Sequence, residues 1–132
     1  MLEAGELITA VDLPSSPFAA NSHYLKIRDR ASYAFALVSV AAALEIKDGK
    51  ITAARIALGG VAHKPWRMPE AEAVLQNAAP EETVFAKAAE IMLRDAKPYQ
   101  HNKFKVEMAR RAVIRALTDA ARGTRPMDFY TV

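Results

Sequence analysis

The chain has 132 residues, 52% apolar and 25% charged, with a formal net charge of +3. These proportions describe one globular domain with a sizeable core and exclude a disordered or low-complexity chain. The lack of cysteine excludes disulfides, thiolate metal sites and cysteine-held iron–sulfur clusters in this chain, and no apolar run is long enough to span a bilayer.

In chain order, the opening MLEAGELITA lacks the basic flank and apolar core of a signal peptide. Residues 6–13, ELITAVDL, are rich in aliphatic and β-branched side chains and are stopped by Pro14 and Pro17, which predicts a first strand. A second, shorter extended run follows at residues 23–28, HYLKIR, and the polar DRASY after it reads as an elbow between strands. The centre of the chain is FALVSVAAALEIKDGKITAARIALGG. Val38, Val40, Ala42, Leu44 and Ile46 recur with period two, so one face of this strand is meant for a core. Asp48-Gly49 marks a hairpin. A plain two-residue loop would bury the Arg55 guanidinium beside Val40 and Leu44 without a visible partner. We therefore expect Lys47-Asp48-Gly49 to form a three-residue loop with a glycine bulge, setting Val38 to Ile46 opposite Leu58, Ile56, Ala54, Thr52 and Lys50, with Arg55 turned away from the core.

After Gly59-Gly60, a turn or close-packing device, Pro65 ends the sheet pattern. Trp66 is a core plug or an interface anchor. Pro69 opens a short helix running to Asn77, and a second helix from Pro80 or Glu81 to Asp95 turns Val84, Ala88, Ile91 and Met92 inward. The third and longest helix has Asn102 as candidate N-cap and ends at Gly123. Strands first and helices afterwards predict an α+β domain, an antiparallel three- to four-stranded sheet packed on about three helices.

The search for chemistry is mostly negative. His23, His63 and His101 lie far apart without ligand spacing, so no metal site is expected, and neither a Walker pattern nor a nucleophile elbow occurs. Lys103, Lys105, Arg110, Arg111, Arg115 and Arg122 load the last helix, either as a solvated face or as a docking surface for an acidic protein. No aromatic stacking platform accompanies them, so nucleic acid is not expected as a partner, nor is a membrane. The elbow concentrates cations beside one tyrosine, a composition that suits either solvent or an anionic, aromatic ligand.

At the elbow the sequence resembles a known family. YLKIRDRASYAFALVSVAAAL, then ARIALGGVAHKPWR, then a helix opening at PEAEAVL, resemble the C-terminal domain of the FAD-binding medium subunit of molybdenum hydroxylases, the xanthine dehydrogenase, aldehyde oxidoreductase and carbon monoxide dehydrogenase group. The likeness runs from about Gly5 to Leu117. It implies the same α+β architecture and a part in an oxidoreductase complex. There the flavin subunit relays electrons from the iron–sulfur clusters of a small subunit, fed by a molybdenum-cofactor large subunit, to an acceptor. Matched position by position, Ile8 corresponds to an aliphatic residue against the flavin ring, Lys26 to a lysine near the cofactor, and Arg28, Arg30 and Tyr33 to a loop beside the isoalloxazine. The family's pyrophosphate-binding regions have no counterpart in residues 1–132, so the chain is expected to be a single domain forming one wall of the FAD site, joined to the rest of the FAD-binding subunit. The compartment implied is cytoplasmic, or periplasmic by export with a partner subunit. A stand-alone module binding protein or nucleic acid is the competing expectation.

Overall fold

The computed structural model describes residues 2–123. The ends of the expected domain, residue 1 and residues 124–132, lie outside the described residues.

Three antiparallel strands in the order β1 (Ser22–Ile27), β2 (Val38–Lys47) and β3 (Lys50–Gly59) form the sheet. The β2–β3 hairpin turns on two residues, Asp48 and Gly49, with φ of 51° and 72°. This left-handed pair matches the twist of the flanking strands. The expected three-residue loop is thereby corrected. Lys47 pairs with Lys50 and Ile46 with Ile51, and then the register shifts: Thr52 stays unpaired while Leu44 faces Ala54, Ala42 faces Ile56 and Val40 faces Leu58. A bulge inside β3 does the phasing expected of the loop. The observed pairing differs from the expected one by two residues, so the faces are unchanged. Ala54, Ile56 and Leu58 are buried with Val38, Val40, Ala42 and Leu44, and Arg55 pairs with Ala43 on the opposite face.

The expected strand at residues 6–13 is a second correction. The run forms no ladder, and Leu7, Ile8, Val11 and Leu13 are exposed. A strand needs a neighbour for its backbone groups. The far edge of β3 is already occupied: Ile51 exchanges hydrogen bonds with Asn77 and Ala78, and Leu58 exchanges two with Trp66, each 2.8 Å long. Ile56 N–H donates to Glu72 Oε1 at 3.0 Å.

The helices are α1 (Pro69–Ala73), α2 (Glu82–Leu93) and α3 (Phe104–Ala121). α1 is shorter than expected, because at Asn77 the chain turns left-handed (φ 61°) and gives its N–H to Ile51. In α2 the largest buried side chain is Phe85, with Ala88, Ala89 and Met92 also buried, while Val84 and Ile91 are only half-buried. α3 lies against β1 and β2, and α2 packs on α3 and α1. The small Ala109, Ala112, Ala116 and Ala120 let the α3 backbone approach its neighbours closely, with Val113 and Leu117 between them. Asn102 does not cap α3; its Oδ1 accepts the Tyr99 N–H at 2.6 Å, and Lys103 stands at the cap position. The other end is closed by Asn21, whose amide donates to the carbonyls of Ala120 (2.9 Å) and Ala121 (3.3 Å). No helix among the described residues is long and apolar enough to cross a membrane.

Candidate functional site

Helices cover one face of the sheet, and the other carries the residues of interest. Cross-strand rows on this outer face read Lys26–Ser39–Gly59, Tyr24–Ala41–Ala57 and Ser22–Ala43–Arg55. Lys26 and Tyr24 are exposed above a floor of small side chains. Beyond Ile27 the chain leaves the sheet, makes the elbow and returns, and Leu37 N–H closes it onto the Ile27 carbonyl at 2.8 Å.

Within the elbow the Arg30 guanidinium donates to the Tyr33 carbonyl. Tyr33 has φ 53°, a left-handed conformation that is uncommon for a large side chain, and it is 97% exposed. The turn throws the phenol outward. Arg28 is exposed as well, so four of the five expected site residues, Lys26, Arg28, Arg30 and Tyr33, line one end of the sheet. Ile8 stands in the run before β1, 63% exposed, and belongs to a different segment.

The base of the elbow depends on Gly59 and Gly60. A Cβ on Gly59 would meet Ser39 Oγ at 2.4 Å, and one on Gly60 (φ 75°) would meet the carbonyls of Leu37 and Ala36 at 2.9 and 3.0 Å. The glycine pair is a close-packing device, and its neighbour is the returning limb of the elbow.

At the other end of the outer face is a network that sequence reasoning missed. The Glu72 side chain is 7% exposed and accepts two bonds from Arg67, Nε to Oε1 at 2.7 Å and Nη2 to Oε2 at 2.8 Å. Arg55 Nη1 is 3.8 Å from Oε2, and its guanidinium carbon lies 5.6 Å from the Phe18 ring centroid. Burial alone would raise the carboxyl's pKa; the Arg67 bonds, the Ile56 N–H and the two guanidinium charges outweigh it and hold Glu72 below the ordinary value. The available signal was Glu72 beside Ala71 on the buried side of a helix that follows Arg67 closely.

Trp66 is a half-buried plug whose Nε1–H donates to the Met92 carbonyl at 3.1 Å. The arginines of α3 are engaged: Arg110 and Arg111 share Glu107 at 2.8 and 2.7 Å, and Arg115 and Arg122 lie 3.7 and 3.4 Å from Asp119. That face alternates in sign. Among the described residues no three His, Asp or Glu side chains converge as a metal site would require. Each helix has acid in its first turn, Glu70 and Glu72 in α1, Glu82 in α2 and Glu107 in α3, which disfavours a phosphate at any of these N-termini. The elbow adds two exposed cations, Arg28 and Arg30 with Asp29 between them, and a projecting phenol to the exposed Lys26 of β1.

Comparison with known proteins bears on this arrangement. Residues 23–120 match the family model of the CO dehydrogenase flavoprotein C-terminal domain. The aldehyde oxidoreductase FAD-binding subunit PaoB of Escherichia coli K12 is 48% identical over 118 residues, covering 88% of this chain and 33% of that protein. The chain thus spans about a third of the length of this curated relative. Several solved structures share the fold. Quinoline 2-oxidoreductase from Pseudomonas putida 86 is 27% identical, with a TM-score of 0.72 over 79% of this chain and 38% of that one. A carbon monoxide dehydrogenase from Hydrogenophaga pseudoflava, lacking the Mo-pyranopterin moiety of its cofactor, is 26% identical, with a TM-score of 0.75 over 85% and 40%. Since the match runs from β1 to the last turn of α3, through the elbow and the whole core, the chain belongs to the CO dehydrogenase flavoprotein C-terminal domain family.

Proposed function

We propose that this chain acts as the C-terminal domain of the FAD-binding subunit of a molybdenum hydroxylase of the aldehyde or xanthine dehydrogenase type. The single observation that carries the reading is the 48% identity to an aldehyde oxidoreductase FAD-binding subunit. Its partners on this reading are the remainder of the FAD-binding subunit, an iron–sulfur small subunit and a molybdenum-cofactor large subunit. FAD, when bound, supplies two-electron chemistry between the iron–sulfur clusters and an external acceptor.

The chain's own contribution is one wall of that site. β1 places Lys26 on the outer face, and the elbow sets Arg28, Arg30 and Tyr33 beyond it. With FAD bound against this face, the Lys26 ammonium would supply positive charge beside the ring and so would raise the potential of its reduction. A unit charge at 4 Å is worth about 1 kcal/mol in water and about 4 kcal/mol near a protein surface. Tyr33 offers a ring for stacking, and Ile8 an aliphatic contact from its separate run.

The test is Lys26→Ala in the complete subunit. The expected result is a lowered flavin potential and slower turnover with the acceptor, with hydroxylation in the reductive half-reaction largely retained. Equal loss of both half-reactions with the flavin still bound would overturn the role assigned to Lys26. The alternative of a stand-alone interaction module is not favoured, and four of the six cations of the last helix, Arg110, Arg111, Arg115 and Arg122, are paired with Glu107 and Asp119.

A further inference from the structure

The cations that the sequence crowds into the last third separate in the fold into two groups. Along α3 the arginines pair with Glu107 and Asp119. Where α2 ends and α3 begins the balance is different. Residues 94–105 contain one acid, Asp95, and it lies 3.4 Å from Arg94. Lys97 and Lys103 have no ion pair among the described residues, and Lys105 donates to the Gly60 carbonyl at 2.8 Å, a bond that fixes its position without neutralising it.

Two adjoining hollows, of about 140 and 180 Å³, open at this corner and share Val61, Leu93, Ala96 and Lys97 as a common wall. The larger is floored by Trp66 and Met92. Because the Trp66 N–H is already given to the Met92 carbonyl, the indole offers the hollow only its apolar ring. On the connecting loop Tyr99 is 80% exposed, and Phe104 is exposed at the start of α3. Lys97 thus lines both hollows, Lys105 lines the smaller and Lys103 follows Asn102 of that lining, while the one acid in the walls, Asp95 in the larger hollow, is paired with Arg94.

We propose that this corner docks an acidic protein segment carrying one apolar anchor side chain. The two features require different properties of the same partner. Lysines on a rim attract carboxylates and speed encounter, whereas a dry apolar pocket at the centre holds an anchor and slows release. A nucleic-acid backbone would satisfy the lysines and leave the Trp66 hollow empty. The surface adjoins the base of the elbow at Gly60 but uses none of the elbow's own side chains.

The test is fluorescence anisotropy with the full chain and three probes: a short labelled peptide of Asp and Glu around a central Leu, the same peptide with Ala at the centre, and single-stranded oligothymidine. We expect saturable, salt-sensitive binding of the Leu peptide. It should weaken about tenfold with the Ala peptide and about tenfold with Lys97→Glu combined with Lys103→Glu. Ala96→Trp, which fills the shared wall from an exposed position, should weaken it too, while Arg111→Glu combined with Arg115→Glu should leave it unchanged. Melting curves identify any variant that fails to fold. No saturable peptide binding, indifference to both the lysine and the Ala96 variants, or tighter binding of oligothymidine would each overturn the proposal.

Discussion

At the scale of single residues, Glu72 shows how one side chain serves two layers. It caps an N–H of the β3 edge and holds Arg67, and its ionised form strengthens both. Glu72→Ala leaves the Ile56 N–H without its partner, and we expect a loss of about 1–3 kcal/mol in denaturant unfolding. The pH dependence follows from the direction of the shift. The folded-state pKa lies below the unfolded one, so the stabilisation is fully present above the ordinary carboxylate pKa and is lost as pH falls through the depressed folded value. Melting temperature should therefore drop more steeply below about pH 4.3 in the native chain than in Glu72→Gln. Glu107, held down to about 2 by bonds from Arg110 and Arg111, titrates in the same acid region in both proteins and cancels in the difference.

Among elements, the hairpin separates turn from register. Gly49 has φ 72° with open space around its α-carbon, so Gly49→Ala should cost about 1–2 kcal/mol through backbone conformation alone, without altering the pairing. Thr52 is the extra residue of the bulge, and its removal would leave Ile46 opposite Ile51 and Leu44 opposite Ala54 with unbroken alternation. We expect the Thr52 deletion to fold and melt cooperatively. Loss of cooperative melting would show that the bulge also supplies needed twist. In the helix layer Phe85 is the largest fully buried side chain, and Phe85→Ala should cost about 3–5 kcal/mol by emptying the space between α2 and its neighbours.

For the molecule as a whole, the flavin reading predicts weak cofactor binding by this chain alone. Association costs on the order of 4–15 kcal/mol, and an exposed elbow touching one ring edge returns only a few contacts. The first turns of all three helices are acidic where a phosphate would need donors. Titration with FAD, followed by flavin fluorescence and heat, should show no stoichiometric complex at micromolar concentration. Such a complex would place a phosphate site within these residues and refute the partial-wall assignment.

The sequence by itself determined the α+β class, from strands that precede helices, the inward set on β2, from period-two alternation, and the outward turn of Arg55, from the cost of burying an unpartnered guanidinium. The family, too, is legible in the sequence alone, in YLKIRDRASY and its neighbours. Tertiary structure decided what depends on a neighbour distant in sequence. ELITAVDL has strand composition but no ladder partner here, and the turn and bulge of the hairpin trade places because either keeps the same parity. The Gly59-Gly60 contact with the elbow, the carboxylate of Glu72 at a strand edge and the unneutralised lysines at the α2–α3 corner each join segments far apart in the chain. No local pattern encodes such meetings, since the free energy that selects them comes from burying the whole core at once.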